Sequence, residues 1–273
     1  MESNARESDK GILKAAAGRQ KFSLMRFQPA QDLAFFIEQY WVVRWDLREH
    51  APYRQVILSY PNVNLAFEQD HNGIFSGVYG VPKNTYSRHL QDEGLALGVK
   101  FRPGGFYPFW KHPLSLLTGR ILSIQDVFGA GGKDIEAQIF AQEDGEKMVL
   151  LAEQFLREQL PEQDENVELL DRIVQSVIEN RDITKVEDMV HEFGINKRTL
   201  QRLFSRYVGV SPKWVIQRFR LQEAAELLEK GGIPDWAKLS QELGYYDQSH
   251  FIRNFKAMIG KSPEEYIKEL GLS

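Results

Sequence analysis

The sequence predicts an α+β protein: an N-terminal antiparallel β sandwich or half-barrel with trailing helices, then an all-α domain of two helix-turn-helix units joined by a long helix. Three observations carry that prediction. Between Phe22 and about Gly105 the apolar runs are short, β-branched or aromatic, and punctuated by Pro, Asn and Gly. Beyond Phe106 the apolar residues recur at helical spacing. And LQRLFSRYVGVSP, Leu200–Pro212, returns 51 positions later as FIRNFKAMIGKSP, Phe251–Pro263. Both copies fit one skeleton: an apolar residue, x, Arg, x, Phe, four residues, Gly, x, Ser-Pro.

Residues 1–20 are polar, lack the apolar core of a signal peptide and read as a disordered tail. Residues 21–160 form the first domain, with strands expected at QYWVVRWDL, QVILSY, VNLAFE, GIFSGVYG and LALGVKF. Near its end EKMVLLAEQFLREQL places Met148, Leu151, Ala152, Phe155 and Leu156 on one helical stripe, a candidate seam for a homodimer or simply a core face. Residues 161–166 are polar, follow a Leu-Pro step and read as a linker.

Residues 167–273 are helical throughout, with well-marked boundaries. Thr184 and Glu187 make a capping box, and Asn196 caps the next helix. Ser211-Pro212 and Ser262-Pro263 each put a capping serine before a proline whose missing N–H costs nothing at the first helical position. Gly231-Gly232 stops the helix that starts at Pro212.

The repeat extends upstream, because Val186…Phe193-Gly194 corresponds to Trp236…Leu243-Gly244. Each unit is therefore helix, glycine-containing turn, helix, with a turn one residue longer in the second copy. In the first copy Leu200, Leu203, Phe204 and Tyr207 share the core face, while Arg198, Gln201, Arg202 and Ser205 face out. In the second, Phe251, Phe255, Met258 and Ile259 pack inward, while Ser249, His250, Arg253 and Lys256 face out. Arg and Gln read guanine and adenine edges bidentately in the major groove. They also occur on any solvated amphipathic helix, but the shared register of Arg202 and Arg253 favours the reading role. The connecting helix Pro212–Glu229 has 18 residues, roughly 27 Å at 1.5 Å per residue. Such a strut can set two readers about one turn of B-DNA apart, ~34 Å, in adjacent major grooves of double-stranded DNA.

Charge agrees once it is resolved along the chain. The net charge is −4, but Ile195–Arg220 holds seven bases (Lys197, Arg198, Arg202, Arg206, Lys213, Arg218, Arg220) and no acid. That is the footprint expected for a polyanion partner.

These residues bring a resemblance into view. INKRTLQRLFSRYVGVSPKW, the strut RLQEAAELL and LGYYDQSHFIRNFKAMIGKSPEEY resemble the DNA-binding domain of the AraC/XylS family of bacterial transcription regulators, over about residues 167–270. The resemblance implies base contact from Arg198, Gln201 and Arg202 in the first reader and from Ser249, His250 and Arg253 in the second. Lys197 and Lys256 would meet phosphate, which positions without reading sequence. One departure is Trp236-Ala237, where the family often has Ile-Ala; it bears on packing. The family usually places a cupin-like sensory domain in front, and residues 21–160 are compatible with one. The partners so implied are a small apolar or aromatic effector, a second copy of the chain and, for an activator, RNA polymerase.

The first domain is rich in aromatics. Tyr40, Trp41, Trp45, Phe101, Phe106, Tyr107, Phe109 and Trp110 are candidates to line an effector pocket, or to be core alone. Arg102, beside Pro103-Gly104-Gly105, can bind an anion or brace the turn. An enzyme fits poorly. The rival reading, a cupin-like small-molecule-binding or metal-dependent enzyme with an incidental helical domain, needs ligands that the spacing lacks. His50, His71, His89, His112, His191 and His250 form no H-x-H or H-x-x-x-H pair, so no metal is expected. GAGGKD, Gly129–Asp134, lacks the spacing of a phosphate loop and reads as a loop or helix start. No local motif selects a catalytic triad and no cofactor is expected. The absence of cysteine and of any long apolar run suits a cytoplasmic protein with no membrane partner.

Overall fold

The computed structural model describes residues 18, 20–58, 60–231 and 235–271, so most of the expected tail, 1–17 and 19, and also Gly232, lie outside the described residues. The first half builds a six-stranded antiparallel sheet ordered β1-β2-β7-β4-β5-β8 and a two-stranded sheet β3-β6. The strands are β1 Ser23–Phe27, β2 Ile37–Asp46, β3 Tyr53–Ile57, β4 Asn64–Asp70, β5 Gly73–Tyr79, β6 Tyr86–Leu90, β7 Glu93–Phe101 and β8 Ile121–Ser123. The five apolar runs of the sequence are β2, β3, β4, β5 and β7. The strands that the sequence hid are β1, β6 and β8, which are short, mostly half-covered or exposed, and have one sheet neighbour each.

The register of β2 on β7 sets Trp41 opposite Gly98 and Trp45 opposite Gly94. The indoles lie directly over these glycines: a Cβ on Gly98 would fall 1.9 Å from the Trp41 ring. Alternation along β2 then sends Tyr40 and Val42 to the opposite face, into the main core.

Four short helices follow: α1 Tyr107–Trp110, α2 Ile124–Phe128, α3 Gly131–Phe140 and α4 Gly145–Arg157. GAGGKD is thus the start of α3, with Gly129 at φ +69°. The apolar stripe of α4 packs on the protomer's own core. Met148, Ala152, Phe155 and Leu156 are buried in the protomer's own core and Leu151 packs against it. The exposed apolar residue of this helix is Leu150.

After an extended stretch come α5 Glu165–Glu179, α6 Val186–Phe193, α7 Lys197–Leu203 with a π turn at Phe204–Val208, α8 Pro212–Glu229, α9 Trp236–Glu242, α10 Gln248–Ile259 and α11 Pro263–Glu269. The caps read from the sequence at Asn196, Ser211 and Ser262 are made, each accepting a backbone N–H three residues on. The start of α6 differs: Asp188, not Glu187, accepts from the Thr184 and Lys185 amides, so the cap lies one residue later.

One apolar core runs from the sheet through α4 and α1 into α5–α7 and the front of α8 at Val215, Ile216 and Phe219. A second gathers the rear of α8 (Leu221, Ala224, Ala225, Leu228) with α9, α10, α11 and Leu58 of the first half. The strut is therefore buried on nearly every side, which its sequence shows as apolar residues without a clean polar stripe.

Candidate nucleic-acid interface

Each unit ends its first helix with a glycine in the left-handed region, Gly194 at φ +62° and Gly244 at φ +76°. Both glycines reverse the chain where a side chain would be strained. At Gly244 space also forbids one, since a Cβ would lie 2.6 Å from that of Thr184. The second helices are then capped by Asn196, accepting from Thr199 N at 2.9 Å, and by Asp247, accepting from His250 N at 2.7 Å.

On α7 and the π turn that follows it, Leu200 and Phe204 are buried, while Arg198, Gln201, Arg202 and Ser205 are exposed. On α10, Phe251, Phe255, Met258 and Ile259 are buried, while Ser249, Arg253 and Lys256 are exposed. His250 is half-buried, its ring edge-on to Tyr245 at 5.3 Å. The two candidate phosphate contacts have intramolecular partners. Lys197 reaches Glu187 at 2.7 Å and Lys256 lies 3.8 Å from Glu265, all four side chains being largely exposed. Such pairs are weak and exchange readily for a phosphate.

The seven bases do not form one face. Arg218 and Arg220 are 0% and 1% exposed. Arg220 donates to the carbonyls of Val177 at 2.7 Å and Asn180 at 2.8 Å, the unpaired end of α5, and pairs with Glu223. Arg218 bonds Gln222 and lies over the rings of Phe219 and Tyr60 at 4.4 and 5.2 Å. Burial pulls its pKa down to about 10, so it stays charged at neutral pH. Arg206 is exposed but donates to the Tyr107 phenol across the seam between the two halves. Lys197, Arg198, Arg202 and Lys213 remain on the surface. Their separation from Arg218 and Arg220 is one of burial, which the linear sequence does not display.

The effector-pocket candidates do not share one space either. Tyr40, Phe101 and Phe106 are buried in the main core, with Phe101 and Phe106 rings 5.0 Å apart and Trp110 6.5 Å from Phe106. Trp41 and Trp45 belong to a small core with Leu47, Leu90 and Ala96 on the other face of the sheet. Arg102 and Tyr107 stand at the seam. Arg102 donates to Ala34 O and bridges to Asp171 on α5, each at 2.8 Å, so it binds the second half rather than a free anion. Tyr107 lies on Tyr207 at 4.2 Å between ring centres. Thr118 adds a bond to Gly209 O at 2.6 Å. Sequence reasoning missed this seam, because its partners lie from 69 to about a hundred positions apart. Among the described residues no group of three or more His, Cys, Asp or Glu is placed to hold a metal, and no helix is long and apolar enough to cross a membrane.

Parts of the chain match known proteins. Residues 189–269, from α6 to the end of α11, match a family described as a helix-turn-helix domain, and residues 25–123 match a domain of unknown function, DUF6597. The HTH-type transcriptional regulator MtrA of Neisseria gonorrhoeae is 32% identical over 123 residues, 40% of each chain. The transcriptional activator NphR of Rhodococcus is 30% identical over 105 residues, 38% of this chain and 30% of that protein. The matched stretches thus span two fifths or less of these relatives. Among solved structures, ToxT from Vibrio cholerae is 14% identical, covers 92% of this chain and 98% of its own, and has a TM-score of 0.38. A probable AraC family regulator from Rhodopseudomonas palustris is 26% identical over 39% of this chain and 98% of its own, with a TM-score of 0.34.

Proposed function

We propose that this chain, whose residues 189–269 match a helix-turn-helix domain, is a sequence-specific DNA-binding regulator of transcription of the AraC type that binds and does not turn over a substrate. The observation that carries this reading is the pair of capped second helices presenting Arg202 and Arg253 at the same place in the repeat, both exposed. Arg198, Gln201 and Arg202 read one half-site, Ser249, His250 and Arg253 the other, and Lys197 and Lys256 hold phosphate. Two readers on one chain let a monomer span both half-sites. The front domain senses a small effector, and the Arg102–Asp171 and Tyr107–Arg206 contacts give a change there a direct route to the first reader. Such a protein works in the cytoplasm.

Binding-site selection at fixed salt tests this. Arg202→Ala should blur one half-site and Arg253→Ala the other, each costing roughly 1–3 kcal/mol. Two mutants that keep the wild-type sequence preference and lose only overall affinity would remove both arginines as base readers.

A further inference from the structure

Among the described residues, the most exposed of the large apolar and aromatic side chains is Tyr246, 92% accessible, in the turn that leads into α10. Its neighbour Tyr245 is buried, with its ring edge-on to Phe251 at 5.5 Å. The two units explain the difference. In the first, one residue, the half-buried Ile195, separates Gly194 from the capping Asn196. In the second, two residues separate Gly244 from the capping Asp247. Tyr245 takes the inward place of Ile195, so Tyr246 is the additional residue. Packing does not require it, and turn chemistry alone would favour a small polar residue or glycine.

Its position gives it a use. Tyr246 directly precedes the cap of α10, at the end of the helix from which Ser249 and His250 project, and recognition helices meet DNA through their N-terminal residues. The charge of the two readers points the same way. Residues 194–208 hold Lys197, Arg198, Arg202 and Arg206, whereas residues 244–259 hold only Arg253 and Lys256. The neighbour of Tyr246 in sequence, Asp247, has its carboxylate turned to the His250 amide. With Arg206 held on the Tyr107 phenol the margin in cations is three to two, and the reader with fewer cations has more need of neutral contacts to the backbone.

We infer that Tyr246 grips the DNA backbone beside the second half-site, its phenol donating to a phosphate oxygen and its ring packing on the deoxyribose. This rests on the DNA-binding reading above. The contact is neutral, so it adds affinity without releasing a counterion and without reading a base. Lys256 is expected to do the opposite and contribute to the salt dependence.

The test uses the full chain and the duplex selected by the wild type, with affinities measured by anisotropy across a salt series. Tyr246→Ala should weaken binding about 5- to 30-fold at every salt concentration, and Tyr246→Phe, which keeps the ring, about 2- to 5-fold. The slope of log affinity against log salt and the selected sequence should stay as in wild type, and so should the thermal midpoint, since the side chain is exposed. Tyr246→Ala binding within twofold of the wild type overturns the inference while leaving the DNA-binding reading intact. A change of base preference at one position overturns the backbone assignment in favour of base contact. A wild-type chain that selects no duplex at all is a separate result, and it removes the reading on which the inference rests.

Discussion

Arg206 donates through Nε to the Tyr107 phenol, and its guanidinium carbon lies 4.9 Å from the centre of the same ring. The contact joins α1 of the β half to the π turn that follows α7, where the Tyr207 ring also meets that of Tyr107 at a tilt of 43°. In the second unit the corresponding stretch, Phe255–Ile259, stays α-helical and meets the β half through Thr85 N on Met258 O at 2.9 Å. Single π turns recur at functional positions, and here the turn sits where the first helix-turn-helix unit is tied to the β half.

Mutating the two seam residues should show coupling. Tyr107→Phe and Arg206→Ala combined in a double-mutant cycle on thermal or urea stability should depart from additivity by more than the ~0.3–0.5 kcal/mol typical of independent sites. Additive effects would mean that the seam contact contributes nothing of its own.

Burial sorts the seven bases by their effect on salt dependence. Arg198→Ala and Lys213→Ala should each lower the slope of log affinity against log salt by up to about one unit. Arg218→Met and Arg220→Met should leave it unchanged, because neither side chain reaches solvent. Arg220→Met should instead cost roughly 1–3 kcal/mol of stability by orphaning the Val177 and Asn180 carbonyls. Salt titrations of DNA binding and urea melts separate the two classes.

Asp164 links the stretch before α5 to the π turn that follows α7. It accepts from Asn166 N at 2.9 Å and from the Tyr207 phenol at 2.6 Å. Burial by itself would raise its pKa, but these hydrogen bonds outweigh it and hold the carboxyl below its usual value of 3.8. A depressed carboxylate stabilises the fold fully above the unfolded-state pKa and loses that contribution as pH falls through the folded one. The gap in urea midpoint between wild type and Asp164→Asn should therefore be constant from neutral pH to about 5 and close below about pH 4. A gap that widens with acid would contradict the assignment.

The α4 stripe distinguishes core from seam. Phe155→Asp should cause loss of folding, not release a folded monomer, because Phe155 is buried and its ring is 5.2 Å from that of Phe128. Leu150→Asp, on the exposed side at 61%, should change neither the thermal midpoint nor the sedimentation coefficient. A shift in sedimentation with Leu150→Asp would place a pairing surface there.

What the sequence alone determined is local. Asn196, Ser211 and Ser262 announce their helices because a cap acts on amides two or three residues away. The repeat exposes Arg202 and Arg253 because apolar spacing decides which side of a helix is buried, and both fall on the other side by register. The longer second turn, with Tyr246 as its extra residue, was there to be counted. Tertiary structure alone decided what depends on distant partners. Arg206 meets Tyr107 across 99 positions, Arg102 meets Asp171 across 69, and Arg220 finds the carbonyls of Val177 and Asn180 about 40 positions back. The α4 stripe likewise announced an apolar face but not what it would pack against. Spacing along one helix specifies a face, whereas the surface that covers it is supplied by segments whose approach the local pattern does not encode.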